Sequence, residues 1–307
     1  MSPIVSIITV NYHQVALTND LLASIHKFGA GLDLEVIVVD NGCPEDQGDL
    51  FRQVFPAVVY LRSSENLGFA GGNNLGVRYA KGKYLLFLNN DTEITDGFIQ
   101  TLIDEMEHRP DIGLLSPLIL YAEDRRKIQY AGFTPMNFRT GRNASLGVLE
   151  TDTGQYDGLT VVTGYCHGAA MICRRRELDQ VGLMEEHYFL YYEELDWCEK
   201  FRRSGFKIGF TGKARIYHKE SMSVGKESVL KTYFMTRNRW LFIRRNAPRL
   251  ARWTFTAYYL CIAVPFQVLR YLLRRRIDLA NAAMRGVKWN LTHSINSQEL
   301  GISLPGR

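Results

Sequence analysis

Four short and largely apolar runs fall within the first ninety residues, and each gives way at its carboxyl end to polar side chains. They are Ile4 to Val10 (IVSIITV), Leu34 to Asp40 (LEVIVVD), Val58 to Arg62 and Lys83 to Leu88 (KYLLFL). Apolar runs of this length, rich in Val, Ile and Leu and without polar alternation, read as strands covered on both faces. Between them, Thr18 to Phe28 and Gly72 to Ala80 read as helices. Strand and helix in turn predict an α/β fold built on a doubly wound, mostly parallel sheet. In such sheets the ligand lies outside the carboxyl ends of the strands. There the sequence collects Asn11, Asp40-Asn41, Asn66 and Asp91.

After Asp111 the pattern loosens. Residues 121 to 160, rich in Gly, Thr, Asn and Arg, read as a long irregular connection that contributes to a binding face. Order resumes with a strand at Gly168 to Arg174 and a helix at Tyr192 to Ser204, stopped by Gly205.

Composition bounds the class. With 46% hydrophobic residues among 307, the chain can bury one large core or two small ones, which excludes a disordered tail protein. The five cysteines (Cys43, Cys166, Cys173, Cys198, Cys261) are scattered and form no C-x-x-C pair. Neither a disulfide framework nor a zinc cage is indicated, and a reducing compartment is the economical reading. The opening MSPIVSIITVNY lacks the basic region and cleavage site of a signal peptide.

The net charge of +5 is unevenly distributed. Eleven of the 37 Lys and Arg residues, and none of the 32 acids, lie between Ser228 and Ile277, so the rest of the chain is acidic. The same segment holds Trp253 to Leu269, a stretch of seventeen uncharged residues flanked by arginines. Basic clusters around an apolar helix point to an anionic membrane surface. Nucleic acid is disfavoured, because it gives no reason for the apolar run. The run is short for a span and contains Pro265, so the expectation is a helix or broken helical pair lying in the cytoplasmic leaflet. The chain is accordingly divided at 225/226, with residues 1–225 catalytic (1–110 and 111–225 as halves) and 226–307 a helical, basic and hydrophobic extension.

Three segments carry chemistry. Asn89-Asn90-Asp91 emerges from a buried strand, where a carboxylate can hold Mg2+ or Mn2+ against a diphosphate; the same residues also suit a turn or helix cap. Asn66 to Gly76 (NLGFAGGNNLG) lets backbone approach a ligand at Gly68 and offers amides such as Asn74, though a glycine-rich turn before a helix has the same composition. Tyr191 to Trp197 (YYEELDW) sets Glu193, Glu194 and Asp196 in the first turn of a helix. Acids there suit the helix dipole, and three of them beside an aromatic run also suit a general base facing an aromatic-walled pocket. His218 is a lone histidine, for which a structural role needs no special pleading.

Taken together, SIITVNY, VIVVDNG, ENLGFAGGNNLG, LFLNNDTEI, GAAMICRRRELDQVGLMEE, FLYYEELDWCEKFRRSGFKIGF and YHKESMS, in this order, resemble the family 2 inverting glycosyltransferases of GT-A fold. The similarity is greatest to the bacterial rhamnosyltransferase-like branch and extends over about residues 4 to 240. It implies a metal-dependent inverting transfer of a sugar, with rhamnose from dTDP-rhamnose the first expectation and UDP- or GDP-sugars next. The acceptor would be a hydroxyl of a glycan or lipid-linked glycan in cell-surface polysaccharide synthesis. Position by position, it implies that Thr9, Asn11, Asp40 and Asn66 line the nucleotide pocket, with Gly68, Asn74, Asn89 and Asn90 beside them. Asp91 would bind the divalent cation, His218 would complete its site, and Glu194 would act as general base, with Glu193 and Asp196 as alternates. Asn89 stands where the family's D-x-D motif has its first Asp, and Glu194 where E-D-x-D has an Asp. The aromatic run Tyr188 to Tyr192 and Trp197 would help shape the acceptor pocket. Such an enzyme would be cytoplasmic and peripheral on the inner face of the cell membrane. Two competing readings are a nucleotidyltransferase-like enzyme, which needs a basic N-terminal phosphate loop that is not evident, and a non-catalytic sugar-nucleotide-binding membrane adaptor.

Overall fold

The structure is a computed structural model that describes residues 3–219 and 227–304. Strands β1 (Val5–Asn11), β2 (Leu34–Asn41), β3 (Val59–Ser63) and β4 (Tyr84–Leu88) form a parallel half-sheet in the order β3-β2-β1-β4. β4 is buried along its whole length, as an unalternating apolar run requires. Helices α1 (Val15–Phe28), α2 (Gly48–Val54) and α3 (Gly68–Tyr79) make the crossovers. Helix α3 starts four residues earlier than its apolar pattern suggests, inside the glycine-rich run. Its glycines let it lie close on the sheet: a β-carbon at Gly76 would come within 2.5 Å of Ile8 Cγ2.

The second half of the sheet is mixed. β5 (Thr92–Ile94), α4 (Phe98–His108), β6 (Ile112–Tyr121), β7 (Ile128–Tyr130), β8 (Thr160–Val162), β9 (Ala170–Arg174), α5 (Arg175–Val181), α6 (Glu193–Arg203) and β10 (Lys207–His218) follow in the chain. β9 enters antiparallel between β4 and β6, and the sheet continues β6-β10-β5. β6 and β10 are long buried strands that sequence periodicity leaves unassigned. Pro117 interrupts the pattern in β6, and it is tolerated because it faces Thr211 where β10 bulges between Thr211 and Arg215.

Beyond the sheet, α7 (Val229–Asn246) is capped by Ser228, whose Oγ accepts from Lys231 N at 3.1 Å. Helices α8 (Arg249–Tyr258) and α9 (Val264–Leu273) are joined by a π-turn, Tyr259–Ala263, into one continuous helix of 25 residues. Of the two forms expected, one helix or a broken pair, the helix here is continuous, because the wider turn just before Pro265 relieves the clash of the proline ring with the preceding carbonyls. The long α8–α9 helix reverses the chain, and α10 (Ile277–Thr292) packs parallel to α7, from Leu279 near Val229 to His293 near Arg244, with Asn290 Nδ2 donating to Arg237 O at 2.9 Å. Trp240 to Ile243 of α7 and Trp289 of α10 share one hydrophobic core with Ile8, Phe87 and Trp197, so the core is continuous across the 225/226 division.

Candidate active site

At the carboxyl ends of β1 and β2 the polar side chains form one connected floor. Asn11 Oδ1 accepts from Thr18 Oγ1 at 2.9 Å, and its Nδ2 donates to Asp40 Oδ1 at 3.2 Å and Gln47 Oε1 at 2.8 Å. Asp40 Oδ2 accepts from Tyr60 Oη at 2.8 Å, so both of its oxygens are held. Asn90 joins through Thr18 at 3.1 Å. Thr9, fully buried, keeps a hydroxyl without a partner. Next to this floor Asn41 and Asn66 are cross-linked: Asn66 Oδ1 accepts from Asn41 Nδ2 at 3.1 Å and Gly68 N at 2.9 Å, and Asn41 Oδ1 accepts from Leu67 N. The turn ends on Gly68 at φ +73°, where a β-carbon would sit 2.3 Å from Phe189 O. Only glycine fits both the dihedral and the space. Asn74, expected at the nucleotide, is drawn elsewhere. Its amide holds Met184 N and O and Glu186 Oε1, which ties α3 to the segment that leads into α6.

The strand end of β4 delivers the second group. Asn89 N donates to Ala169 O at 3.0 Å, and Asp91, buried, faces His218 on β10, with Oδ1 and Nε2 3.1 Å apart. His218 Nδ1 lies 2.7 Å from Gln129 Oε1. When Nδ1 donates to Gln129, Nε2 turns its lone pair on the Asp91 oxygen, and neither atom has a hydrogen-bond partner. Two facing buried acceptors are what a cation between them would satisfy, so these residues fit a divalent ion. Among the described residues they have no third carboxylate, thiol or imidazole close enough to complete a ligand set. His167, which sequence reasoning passed over, lies close by. Its ring lies 5.9 Å from that of His218, and burial lowers its pKa to about 3. The only signal for it in the sequence is its place just before the Gly168 strand.

The turn His167-Gly168-Ala169 joins this corner to the acids of α6. A β-carbon at Gly168 would come within 3.6 Å of the Phe69 ring and 3.9 Å of Glu194 Cγ. Burial raises the Glu194 pKa to about 7, against backbone amides of Tyr192, Glu194 and Leu195 that favour its anion. Glu193 is almost fully enclosed. Burial and then the Glu194 charge push its pKa well above the usual carboxylate value. Asp196 lies about 200° around the helix from Glu194 at 100° per residue. It accepts from Tyr188 Oη at 3.0 Å and Asn246 Nδ2 at 2.7 Å, so it bonds α6 to α7 and is no alternate base. Trp197 likewise belongs to the core, packed edge-on against Phe87 and Phe201, and shapes no acceptor pocket.

The segment preceding α6 is strained. Phe189, Tyr191 and Tyr192 all have positive φ (+65°, +69° and +76°), unfavourable for aromatic residues. Asn238 on α7 holds it, its Nδ2 lying within 2.8 to 2.9 Å of the carbonyls of Tyr188, Leu190 and Tyr191. The buried Arg237 guanidinium donates to His187 O and Tyr188 O. Phe69 N donates to Phe189 O from the other side at 2.9 Å.

A polar floor at parallel strand ends, a buried acid-imidazole pair fit for a cation and a carboxylate poised near neutrality together have the makings of an enzyme site. The chain belongs to glycosyl transferase family 2, whose model matches residues 6–179. It is 28% identical over 291 residues to the low-salt glycan biosynthesis hexosyltransferase Agl10 of Haloferax volcanii, covering 92% of this chain and 89% of that one. It is 24% identical to the N-acetylglucosaminyl-diphospho-decaprenol L-rhamnosyltransferase of Mycobacterium tuberculosis, over 74% of this chain and 80% of that one. In three dimensions it resembles the mannosyltransferase PcManGT of Pyrobaculum calidifontis, solved with GDP-Man and Mn2+, with a TM-score of 0.58 at 14% identity over 95% of this chain and 88% of that one. The protein is a glycosyltransferase of GT-A fold.

Proposed function

We propose that the protein transfers a sugar from a nucleotide sugar to a hydroxyl of a glycan or lipid-linked glycan, inverting the anomeric centre, in cell-surface polysaccharide synthesis. The observation that carries this reading is Glu194, a half-buried carboxylate with a pKa of about 7, set against Gly168 in the turn that also carries His167, whose ring is next to that of His218. A base of that pKa is largely free to accept a proton at physiological pH and strong enough to take one from a hydroxyl as it attacks. At Glu193 beside it, burial and the Glu194 charge both disfavour a second negative charge. The Asn11–Asp40–Tyr60 floor suits the nucleoside, and the Asn66 to Gly68 turn brings backbone close to it. A divalent cation held by Asp91 and His218 would, when bound, offset the charge that develops on the departing nucleoside diphosphate. The relatives' names support dTDP-rhamnose as the first donor to try. They also support an acceptor on a lipid carrier, which implies work at the inner face of the cell membrane.

The test is a screen of dTDP-, UDP- and GDP-sugars for binding and slow nucleotide release, with and without Mn2+ or Mg2+. One donor is expected to bind with cation dependence. If no nucleotide sugar binds under any of these conditions, the reading is wrong.

A further inference from the structure

Against Tyr192, the residue before the acids of α6, lies a second cavity of about 410 Å³. The turn around Gly141, α7 and the long α8–α9 helix enclose it. Arg142, Arg239 and Arg270 line it together with Asn143, Tyr192 and Phe266, and no acid does. Arg239 is anchored through Thr140 O and over the Tyr259 ring, 5.2 Å to the ring centre, yet its Nε is buried without an acceptor. Asn143 Nδ2 is a second buried donor without one. Leaving buried donors unpaired costs roughly 1–3 kcal/mol each, so a cluster of them among guanidinium groups marks a place for an acceptor-rich anion. The π-turn at Tyr259–Ala263 forms part of the wall, and such turns concentrate at functional sites.

The cavity opens onto an uncovered apolar surface. Along α8 and α9, Phe255, Tyr259 and Val264 face inward and are buried, whereas Trp253 (76% exposed), Phe266 (67%) and Leu273 (78%) face out with Leu250, Ile262 and Leu269. Phe266 belongs to both the cavity wall and this outer stripe. A ligand with a diphosphate in the arginine cavity would therefore leave it along a hydrocarbon-compatible face.

We propose that this cavity is the diphosphate subsite for an acceptor carried on a polyprenyl-type lipid, with the lipid chain running over the outer face of α8–α9. The inference rests on the glycosyltransferase reading above and narrows its acceptor. Tyr192 lines the cavity and directly precedes Glu193-Glu194, so a diphosphate held there brings the sugar attached to it toward the base. Bidentate guanidinium groups match phosphate oxygens, and the absence of acids from the lining removes like-charge repulsion.

The experiment measures, on the full chain, binding of inorganic pyrophosphate, of a short water-soluble prenyl diphosphate below its micelle concentration, and of nucleotide sugar with Mn2+. Arg142→Gln/Arg270→Gln carries the main test, because both side chains are exposed and outside the core; Phe266→Ser probes the apolar exit. The prenyl diphosphate is expected to bind at least tenfold more tightly than pyrophosphate. The arginine pair variant should lose about 10- to 100-fold of that affinity, and Phe266→Ser should reduce the prenyl preference alone, with nucleotide-sugar binding unchanged in both. Equal affinity for pyrophosphate and prenyl diphosphate would overturn the lipid carrier, and unchanged binding in the arginine variant would overturn the site. Intact nucleotide-sugar binding with no prenyl diphosphate binding refutes this inference while leaving the proposed function standing. Loss of nucleotide-sugar binding by the unaltered chain refutes the proposed function itself.

Discussion

Glu194 and its neighbours show how far three acids in four residues can diverge. Burial disfavours the Glu193 anion, the contact with α7 takes Asp196, and Glu194 alone faces Gly168 with a pKa near neutrality. Glu194→Gln should lower turnover by about two to four orders of magnitude with little change in donor affinity. In the unaltered enzyme, kcat/KM should rise with pH to a limb near 7, because the base must lose its proton. The sign for stability is opposite. With the folded pKa raised above the usual carboxylate value, Glu194 contributes fully below about pH 4.5, and the contribution is lost as pH rises through about 7. Thermal melts should therefore show Glu194→Gln gaining on the unaltered protein between pH 5 and pH 8. A constant difference over that range would mean that the carboxylate is not desolvated. At the other corner, Asp91→Asn should abolish the Mn2+ dependence of donor binding while the fold persists. His218→Ala should weaken it less, since a single imidazole is lost and the carboxylate stays. If isothermal titration shows the same Mn2+ response in Asp91→Asn, the cation is held elsewhere.

Among the elements, α7 contributes most beyond its own residues. It reads as the start of a membrane-associating tail, but it is a core helix whose Asn238 and Arg237 clamp the strained turn before α6. Three aromatic residues at positive φ would relax without those donors. Asn238→Ala removes bonds to three carbonyls, that of Tyr188 fully buried, and should cost about 1–3 kcal/mol of stability. Turnover should fall roughly tenfold or more at constant donor affinity, with the pH limb moved, because the turn sets where Glu194 sits. Loss of stability with an unmoved limb and normal kcat in the folded fraction would reduce Asn238 to a structural residue.

For the whole molecule, the continuity of the core decides how membrane binding can be tested. Truncation after Asn246 would remove α10, whose Trp289 and Val287 complete that core, so it would expose the core as well as delete the apolar surface. Trp253→Ser/Leu273→Ser alters the outer stripe alone. The unaltered protein should float with vesicles containing anionic lipid, with binding reduced by salt, and the double variant should remain in the soluble fraction with its melting temperature unchanged. Equal flotation of the two proteins would show that this stripe does not meet the bilayer. The 25-residue helix is long and apolar enough to cross a membrane by length and composition, but its inner face is committed to Phe255 and Tyr259 packing against α7. That packing favours a helix lying along the surface.

Local pattern alone determined the parallel half-sheet, its polar strand ends and the acids that open α6, because buried strands and caps announce themselves within a few residues. Asp91 and His218 were each legible as candidates, yet their meeting was not, since 127 residues of chain separate them and only the pairing of β10 with β5 closes the gap. Strands β6 and β10 were hidden by a proline and a bulge that make sense only as a pair. The choice among Glu193, Glu194 and Asp196 also belonged to tertiary structure. Burial and hydrogen bonding assign a carboxylate its pKa and its partner, and both depend on what packs around the helix, which no spacing within it records.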